Sequence, residues 1–492
     1  MPVEPQQSFQ LSATRDLTQG SIPRQIIKLS LPIMGTSFVQ MAYNLTDMLW
    51  LGHAGSNYVA AVGAASYFTW FGVSVMLIAR IGAEVGISQS LGAGNQHKAL
   101  RFANNSVSLV LLMAFIFGVI TFIFGNQLIS LFKIDDAGVH QSAVSYLKII
   151  AVGAFFYYSN PTFTGIFNGT GNPKMPFRIN ATGLIFNIIL DPVFIYGWWF
   201  IPRMGSDGAA IATILSQAIV TILFWAITRR GKGPFANFRF SLGFDRKITK
   251  KIFQLGLPVA LHSILFASFG MVLTRIISQW GALPIAIQSV GAQIEALSWM
   301  TASGFSTALG VFTGQNFGAG NWDRIFKGYM ITLAISSVIG IAVTILFLVF
   351  GHDIFSAFIP EKEAIALGAV YLAILAISQL FMCVEITTGG AFNGIGQTFP
   401  PSAVGIILTG ARIPMALVLS QPQYFGVTGV WWSITISSVL KGIVLLGWYH
   451  FKVYRNHPEK VEINFRDQFI RFIPSRVRQE IFDNKLIGND EK

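Results

Sequence analysis

Apolar positions along the chain run in blocks of 18 or more residues from Ile26 to Phe451, separated by short polar or Gly/Pro stretches. A block of that length crosses about 30 Å of hydrocarbon as an α-helix, which satisfies its own backbone where water cannot. The breaks predict twelve spans, near 26–52, 59–88, 101–125, 142–168, 178–199, 208–228, 252–280, 284–316, 325–350, 364–392, 402–421 and 426–452. The expected fold class is therefore an all-α membrane protein of about 12 transmembrane helices. A transmembrane barrel does not fit, because its strands would alternate lipid-facing and lumen-facing residues at period two.

Composition supports this reading, with 53% hydrophobic and only 11% charged residues among 492, against about 25% charged in an average soluble domain. The net charge of +12 matters through its location, and no nucleic-acid partner is implied. The loop 229–251 carries Arg229, Arg230, Lys232, Arg239, Arg246, Lys247, Lys250 and Lys251 against a single acid, Asp245. Loops on the other side offer only Lys133, Arg203 and Lys362. The positive-inside rule then puts both termini in the cytoplasm of a multi-pass protein of the bacterial inner membrane. Residues 1–25 are polar and lack an apolar core followed by a cleavage site, so a signal peptide is not expected. Cys383, the only cysteine, lies in an apolar stretch and reads as an inert core thiol.

Landmarks recur at a nearly constant displacement. Leu29-Ser-Leu-Pro32 returns as Leu255-Gly-Leu-Pro258, and Gly92-Ala-Gly-Asn95 as Gly318-Ala-Gly-Asn321, both 226 residues on; Phe167-Asn-Gly-Thr-Gly171 returns as Phe392-Asn-Gly-Ile-Gly396 at 225. Each copy holds six spans, an even number, so both halves enter the membrane in the same direction. The expected arrangement is two six-helix lobes related by a pseudo-two-fold axis along the membrane normal. The boundaries expected are an N-terminal segment 1–25, an N-lobe 26–228, a basic linker 229–251, a C-lobe 252–452 and a tail 453–492. In that tail, Arg466, Arg471, Arg476 and Arg478 among Phe465, Phe469, Ile470, Phe472 and Ile473 suit either an amphipathic helix on the membrane surface or a solvated tail.

Polar residues within spans carry the candidate chemistry. Gln40, Tyr43, Asn44 and Asp47 stand at i, i+3, i+4 and i+7 and share one helical stripe. A carboxylate at mid-membrane costs roughly 2.5–3.5 kcal/mol and normally faces a cavity or a partner. Asn187 and Asp191 are four apart on one face, and Pro192 follows directly. Proline has no N–H, so it frees the Ile188 carbonyl and kinks the helix beside the acid. Carboxylates, an amide, a hydroxyl and a freed carbonyl are oxygen ligands suited to Na+, and two nearby carboxylates would equally share a proton. The plainer reading is that the acids are neutral staples between helices. The repeat places Leu273 opposite Asp47 and Arg412 opposite Asn187, so ion chemistry is expected in the first lobe alone.

The ordered set Pro32, Gln40, Tyr43, Asp47, the doubled GAGN loop, Asn187-Ile-Ile-Leu-Asp191-Pro192, Gly208-Ala-Ala-Ile-Ala-Thr213 and Glu295 resembles the multidrug and toxic compound extrusion family, in particular its branch named for a DNA-damage-inducible membrane protein. The resemblance covers essentially the whole chain. It implies a secondary antiporter of alternating access that exports small cationic or amphipathic compounds against inward flow of H+ or Na+. It further implies a coupling site at Asp47, Asn187, Asp191 and Thr213, with Asn180 on the cavity wall. Gln40, Tyr43 and Glu295 are candidates for the substrate cavity, and Pro32 and Pro192 for hinges. No cofactor is expected beyond the coupling ion; the expected partners are the small-molecule substrate and the lipid bilayer, and the expected state is a monomer.

Other features weigh less. Glu295 reads equally as a structural hydrogen bond or a cation-binding group, and Glu385 sits only about two turns before the Asn393-Gly394 loop. Arg80 with Glu84 reads as an intrahelical pair, while Arg275 and Arg412 are either counter-ions or snorkelling anchors. The Gly-rich loops lack the GxxxxGK[ST] form, the seven histidines have no ligand spacing, and no nucleophile and base pair up, so an enzyme is not expected. The alternative function is a flippase for a lipid-linked saccharide or similar amphiphile, which the acidic residues of the first half disfavour.

Overall fold

The computed structural model describes residues 15–198, 201–229 and 244–455; the tail discussed above and most of the basic linker lie outside them. The first half comprises α1 (Ile22–Ala54), α2 (Ser56–Gly92), α3 (Gln96–Ser130), α4 (Ala137–Val152), α5 (Ala154–Gly169), α6 (Lys174–Tyr196) and α7 (Ser206–Arg229). The second comprises α8 (Arg246–Ile277), α9 (Ala282–Gly318), α10 (Trp322–Ser356), α11 (Lys362–Gly394), α12 (Phe399–Gly410), α13 (Arg412–Leu419) and α14 (Thr428–Trp448). Helices are the only regular elements among the described residues apart from one 3-10 turn and a closing π turn, Tyr449–Tyr454.

Two predicted spans are interrupted. The span 142–168 is the pair α4 and α5, bent by 58° around Gly153, where any side chain would collide with Ile214. The span 402–421 divides into α12 and α13 at Ala411. Among the described residues, nine single spans and the bent pair are apolar enough to cross a membrane unaided. Helices α1 and α9, with 33 and 37 residues, are long enough but carry more polar positions, and they complete the twelve. Large side chains such as Phe115 and Ile123 on α3, and Val338 and Ile345 on α10, stay exposed, as a lipid-facing surface requires. Helix ends differ modestly from expectation: α8 starts at Arg246, so the last four bases of the basic loop belong to its first turns, and Asp245 is its N-cap, accepting from Lys247 N at 2.9 Å.

The doubled Gly-rich loops are helix terminators. Gly94 (φ 70°) and Gly320 (φ 75°) adopt the left-handed conformation that ends α2 and α9. Asn95 N then donates to Ser90 O at 2.9 Å, and Asn321 N to Asn316 O at 2.8 Å.

The two lobes meet reciprocally. Helix α2 packs on α8 and α1 on α9, the pairing that a pseudo-two-fold requires when α1 corresponds to α8 and α2 to α9. These contacts fall in the half where α1 and α8 begin: Ile78 against Gly256, Gly82 against Ile252, Met34 against Gly304, and Ser74 Oγ to Ser263 Oγ at 2.8 Å. In the other half a Cβ added at Gly52 on α1, Gly63 on α2 or Gly270 on α8 would meet no neighbouring atom. The lobes are thus closed at one end and parted at the other.

Helices α1 and α8 cross between lobes. Ile22, Ile26, Leu29 and Ile33 pack in a core with Phe305, Phe312 and Phe392 of the second lobe, whereas Leu51 packs with Ala61, Leu147 and Ile195 of the first. Likewise Ile248, Ile252 and Ala260 join a first-lobe core, and Leu273 and Ile276 a second-lobe one. Pro32 and Pro258 sit at these crossovers. The segment before α1 also bridges the closed end: Arg15 N donates to Thr170 O at 3.1 Å, Leu17 N to Gln315 Oε1 at 2.9 Å, and Arg324 Nη2 to Leu17 O at 3.1 Å.

Candidate functional site

The second half of α1, the middle of α6 and the start of α7 place their polar residues together inside the first lobe. Asn187 Nδ2 donates to Asp191 Oδ1 at 2.9 Å, as the four-residue spacing on one face predicts. Thr213 Oγ1 donates to Asp47 Oδ2 at 3.3 Å. The Asp47 and Asp191 carboxyls are neighbours close enough to interact, with Asn187 beside both. Four residues from three helices, called from spacing and resemblance, therefore form one cluster.

Several of its polar atoms have no partner. Asp47 Oδ1, Asn187 Oδ1, Asp191 Oδ2 and Tyr43 Oη are buried without a hydrogen-bond partner; three of the four are pure acceptors. Asn187 and Asp191 are fully buried. Two neighbouring buried carboxyls repel each other when both are charged, and an array of acceptor oxygens suits a shared proton or a hard monovalent cation. Tyr43 is buried with its hydroxyl pressed on Gly183 of α6, where a larger residue would displace it. Tyr146 of α4 and Tyr157 of α5 stand close enough to interact with the Asp47 charge. Sequence reasoning missed both: Tyr157 lay in an aromatic run read as packing, and Tyr146 has no pattern that separates it from interfacial tyrosines.

The other candidates are placed differently. Gln40 is exposed on α1. Asn180 is buried in the lobe and donates to Pro176 O at 2.7 Å. Pro32 and Pro192 lie within continuous helices α1 and α6. Glu295 stands in the second lobe, where its Oε1 accepts from Gln379 Nε2 at 3.1 Å.

That second-lobe neighbourhood holds a charged network. Lys441 Nζ lies 2.9 Å from Glu385 Oε2, both nearly buried. Arg412 is 7% exposed, donates from Nε to Ser437 Oγ at 2.6 Å and from Nη2 to Ser438 Oγ at 3.0 Å, and lies over the Phe266 ring. It is thus an interior cation, not a snorkelling anchor. Where the first lobe gathers acids and amides, the second pairs acids with bases.

Comparison with known proteins matches these observations. The MatE family model fits residues 32–193 and 258–418, one copy per lobe at the displacement of the internal repeat. A Thermotoga maritima protein named "Probable multidrug resistance protein NorM" is 30% identical over 83% of this chain and 88% of its own length. A Bacillus subtilis protein named "Probable multidrug resistance protein YoeA" is 25% identical over 89% and 96%. Among solved structures, an outward-facing multidrug resistance MATE family transporter of the MOP superfamily superposes with TM-score 0.81 at 23% identity, covering 90% of this chain and 98% of its own. A MATE structure in a straight conformation gives 0.82 over the same shares. With both lobes matched by the family model and a 30%-identical relative aligned along most of its length, the chain belongs to the MatE family of membrane transporters and is not an enzyme.

Proposed function

We propose that this protein is a secondary antiporter that exports small cationic or amphipathic organic compounds in exchange for H+ or Na+. The observation that carries the reading is the Asp47–Asp191 pair, two acids brought together with Asn187 and Thr213 and with acceptor oxygens of Asp47, Asn187 and Asp191 left unmet. Two structural acids inside a membrane lobe would together cost roughly 5–7 kcal/mol, a large fraction of a typical stability margin. An ion taken up and released there gives that expense a purpose. The drug-resistance names of the relatives support the substrate class.

Coupling needs an ion that binds the two conformations unequally. The route for that difference is α1, which carries Asp47 in the first lobe and packs its opening turns on the second. Ion binding at Asp47, Asn187, Asp191 and Thr213 reshapes α1 about Pro32 and α6 about Pro192, and the lobes rock. Both lobes lie in one chain, which supports a monomer as the working unit. The basic loops put both termini in the cytoplasm of the inner membrane, and the closed end then faces inward.

The test is drug-driven ion movement in proteoliposomes under separate Na+ and H+ gradients, comparing wild type with Asp47→Asn and Asp191→Asn. Export that follows one gradient and is lost in either folded variant supports the site and names the ion. Wild-type rates in both variants would make the acids structural.

A further inference from the structure

A second unmet carboxylate lies far along α2 from the coupling pair, in the closed seam itself. Glu84 is 7% exposed, and its Oε2 is buried with no partner. It borders a cavity of about 40 Å³ whose walls come from both lobes: Ile81, Val85 and Ser88 of α2 face Ser306, Thr307 and Gly310 of α9 and Asn393 of α11. That volume has room for a small number of waters or one ion.

The cavity holds acceptor oxygens that have no partner. Asn393 Oδ1 is unpartnered, like Glu84 Oε2. The Ser88 hydroxyl donates to Val85 O at 3.0 Å and the Ser306 hydroxyl to Ile386 O at 2.7 Å, leaving only their lone pairs for the cavity. Asn168 of α5 stands beside the Glu84 carboxyl and keeps its own Oδ1 unpartnered. The groups that face Glu84 are Arg80 from its own helix, Asn168 from α5, Ser306 and Thr307 from α9 and Asn393 from α11, and Arg80 is the one charge among them. Among the described residues no ion pair joins Arg80 to Glu84, and Arg80 Nε is itself buried without a partner. A buried carboxylate oxygen left without a partner is destabilised until a donor or a cation joins it.

We propose that Glu84 is a monovalent-cation site built into the seam, taking a proton or Na+ while the lobes are closed at this end. A proton on Oε2 makes it a donor toward Asn393 Oδ1, directly or through a water, and satisfies both orphans together. Na+ would instead collect Glu84, Asn393 and the serine oxygens. In either case half of the donor set leaves with the second lobe when the seam parts, and Glu84 is rehydrated. The cation therefore binds the closed state more tightly and holds this end shut. This site rests on the lobe interface and is independent of Asp47 and Asp191.

The experiment uses the full chain in lipid nanodiscs with Asp47→Asn and Asp191→Asn in place, so that the coupling pair cannot respond. Cys383→Ala removes the native thiol, and spin labels at Asn57→Cys and Ala282→Cys, exposed positions at the parted end of either lobe, report lobe separation by pulsed electron resonance. Titration from about pH 9 to about pH 5 without Na+, and with NaCl against choline chloride at the alkaline limit, separates proton from sodium. The expected result is that the closed-to-open ratio of the seam rises about tenfold in one arm. Glu84→Gln should fix that ratio near its high value in both arms. Asn393→Asp, which adds a carboxylate to the cavity, should lower the ratio at alkaline pH. Titrations that are flat in the parent, or unchanged by Glu84→Gln, would overturn the proposal.

Discussion

Gly92 on α2 rests directly on the main-chain carbonyl of Gln315 on α9, and Gly318 on α9 rests on the carbonyl of Gln89 on α2. The two contacts are one contact repeated through the 226-residue offset, so the closed end is self-complementary across the pseudo-two-fold. Neither glycine tolerates a Cβ without backbone movement. Gly92→Val and Gly318→Val are therefore expected to disfavour this closed end while leaving each lobe folded. Alkylation of Ser88→Cys, buried in the seam, should become about tenfold faster in these backgrounds. Unchanged alkylation would mean that the glycines do not control closure.

The proposed coupling cluster predicts unequal effects from its members. Asp47→Asn and Asp191→Asn each remove a charge that the proposed ion would need, and transport should fall by roughly 5–150-fold, the usual range of a coupling energy. Thr213→Val removes only one donor to Asp47 and should cost less than either acid. Reconstituted uptake with matched protein levels checks the order, and a Thr213→Val loss as large as that of the acids would refute it.

Pro32 lies where α1 passes from one lobe's core to the other's. Pro32→Ala restores a backbone donor to the helix and stiffens the crossover. Ion binding should persist while exchange slows. Calorimetric titration with the coupling ion, set beside transport, separates the two; loss of both together would place Pro32 in the binding site and remove its hinge role.

Much of this was legible in the sequence because membrane burial punishes misplaced polarity. Asp47, Asn187 and Asp191 stood out as polar positions in apolar spans, and helical spacing put each set on one face. The repeat was visible because Gly94 and Gly320 do a backbone task that few residues can do. What spacing does not carry is distance between helices. Thr213 entered only through resemblance, Tyr146 not at all, and Arg80 stands near Glu84 as the spacing suggests without closing an ion pair, while Glu84 also borders a cavity shared with α9 and α11. Lys441 escaped notice for the same reason: a lysine in the last span reads as an anchor until Glu385 is found beside it.

That ion pair makes a sharp stability prediction. Lys441 and Glu385 are 7% and 12% exposed, so each is the other's principal compensation in a nonaqueous interior. Lys441→Met leaves a carboxylate in place with Arg412 near but bonded to serines, and breaking a buried pair from one side typically costs about 3–5 kcal/mol. Removing both charges, as in Lys441→Met with Glu385→Gln, leaves no unpaired ion and should recover most of that loss. Thermal unfolding in detergent, followed for both single variants and the double, closes the cycle. A double variant no more stable than the worse single one would show that the pair is held by packing and not by mutual charge.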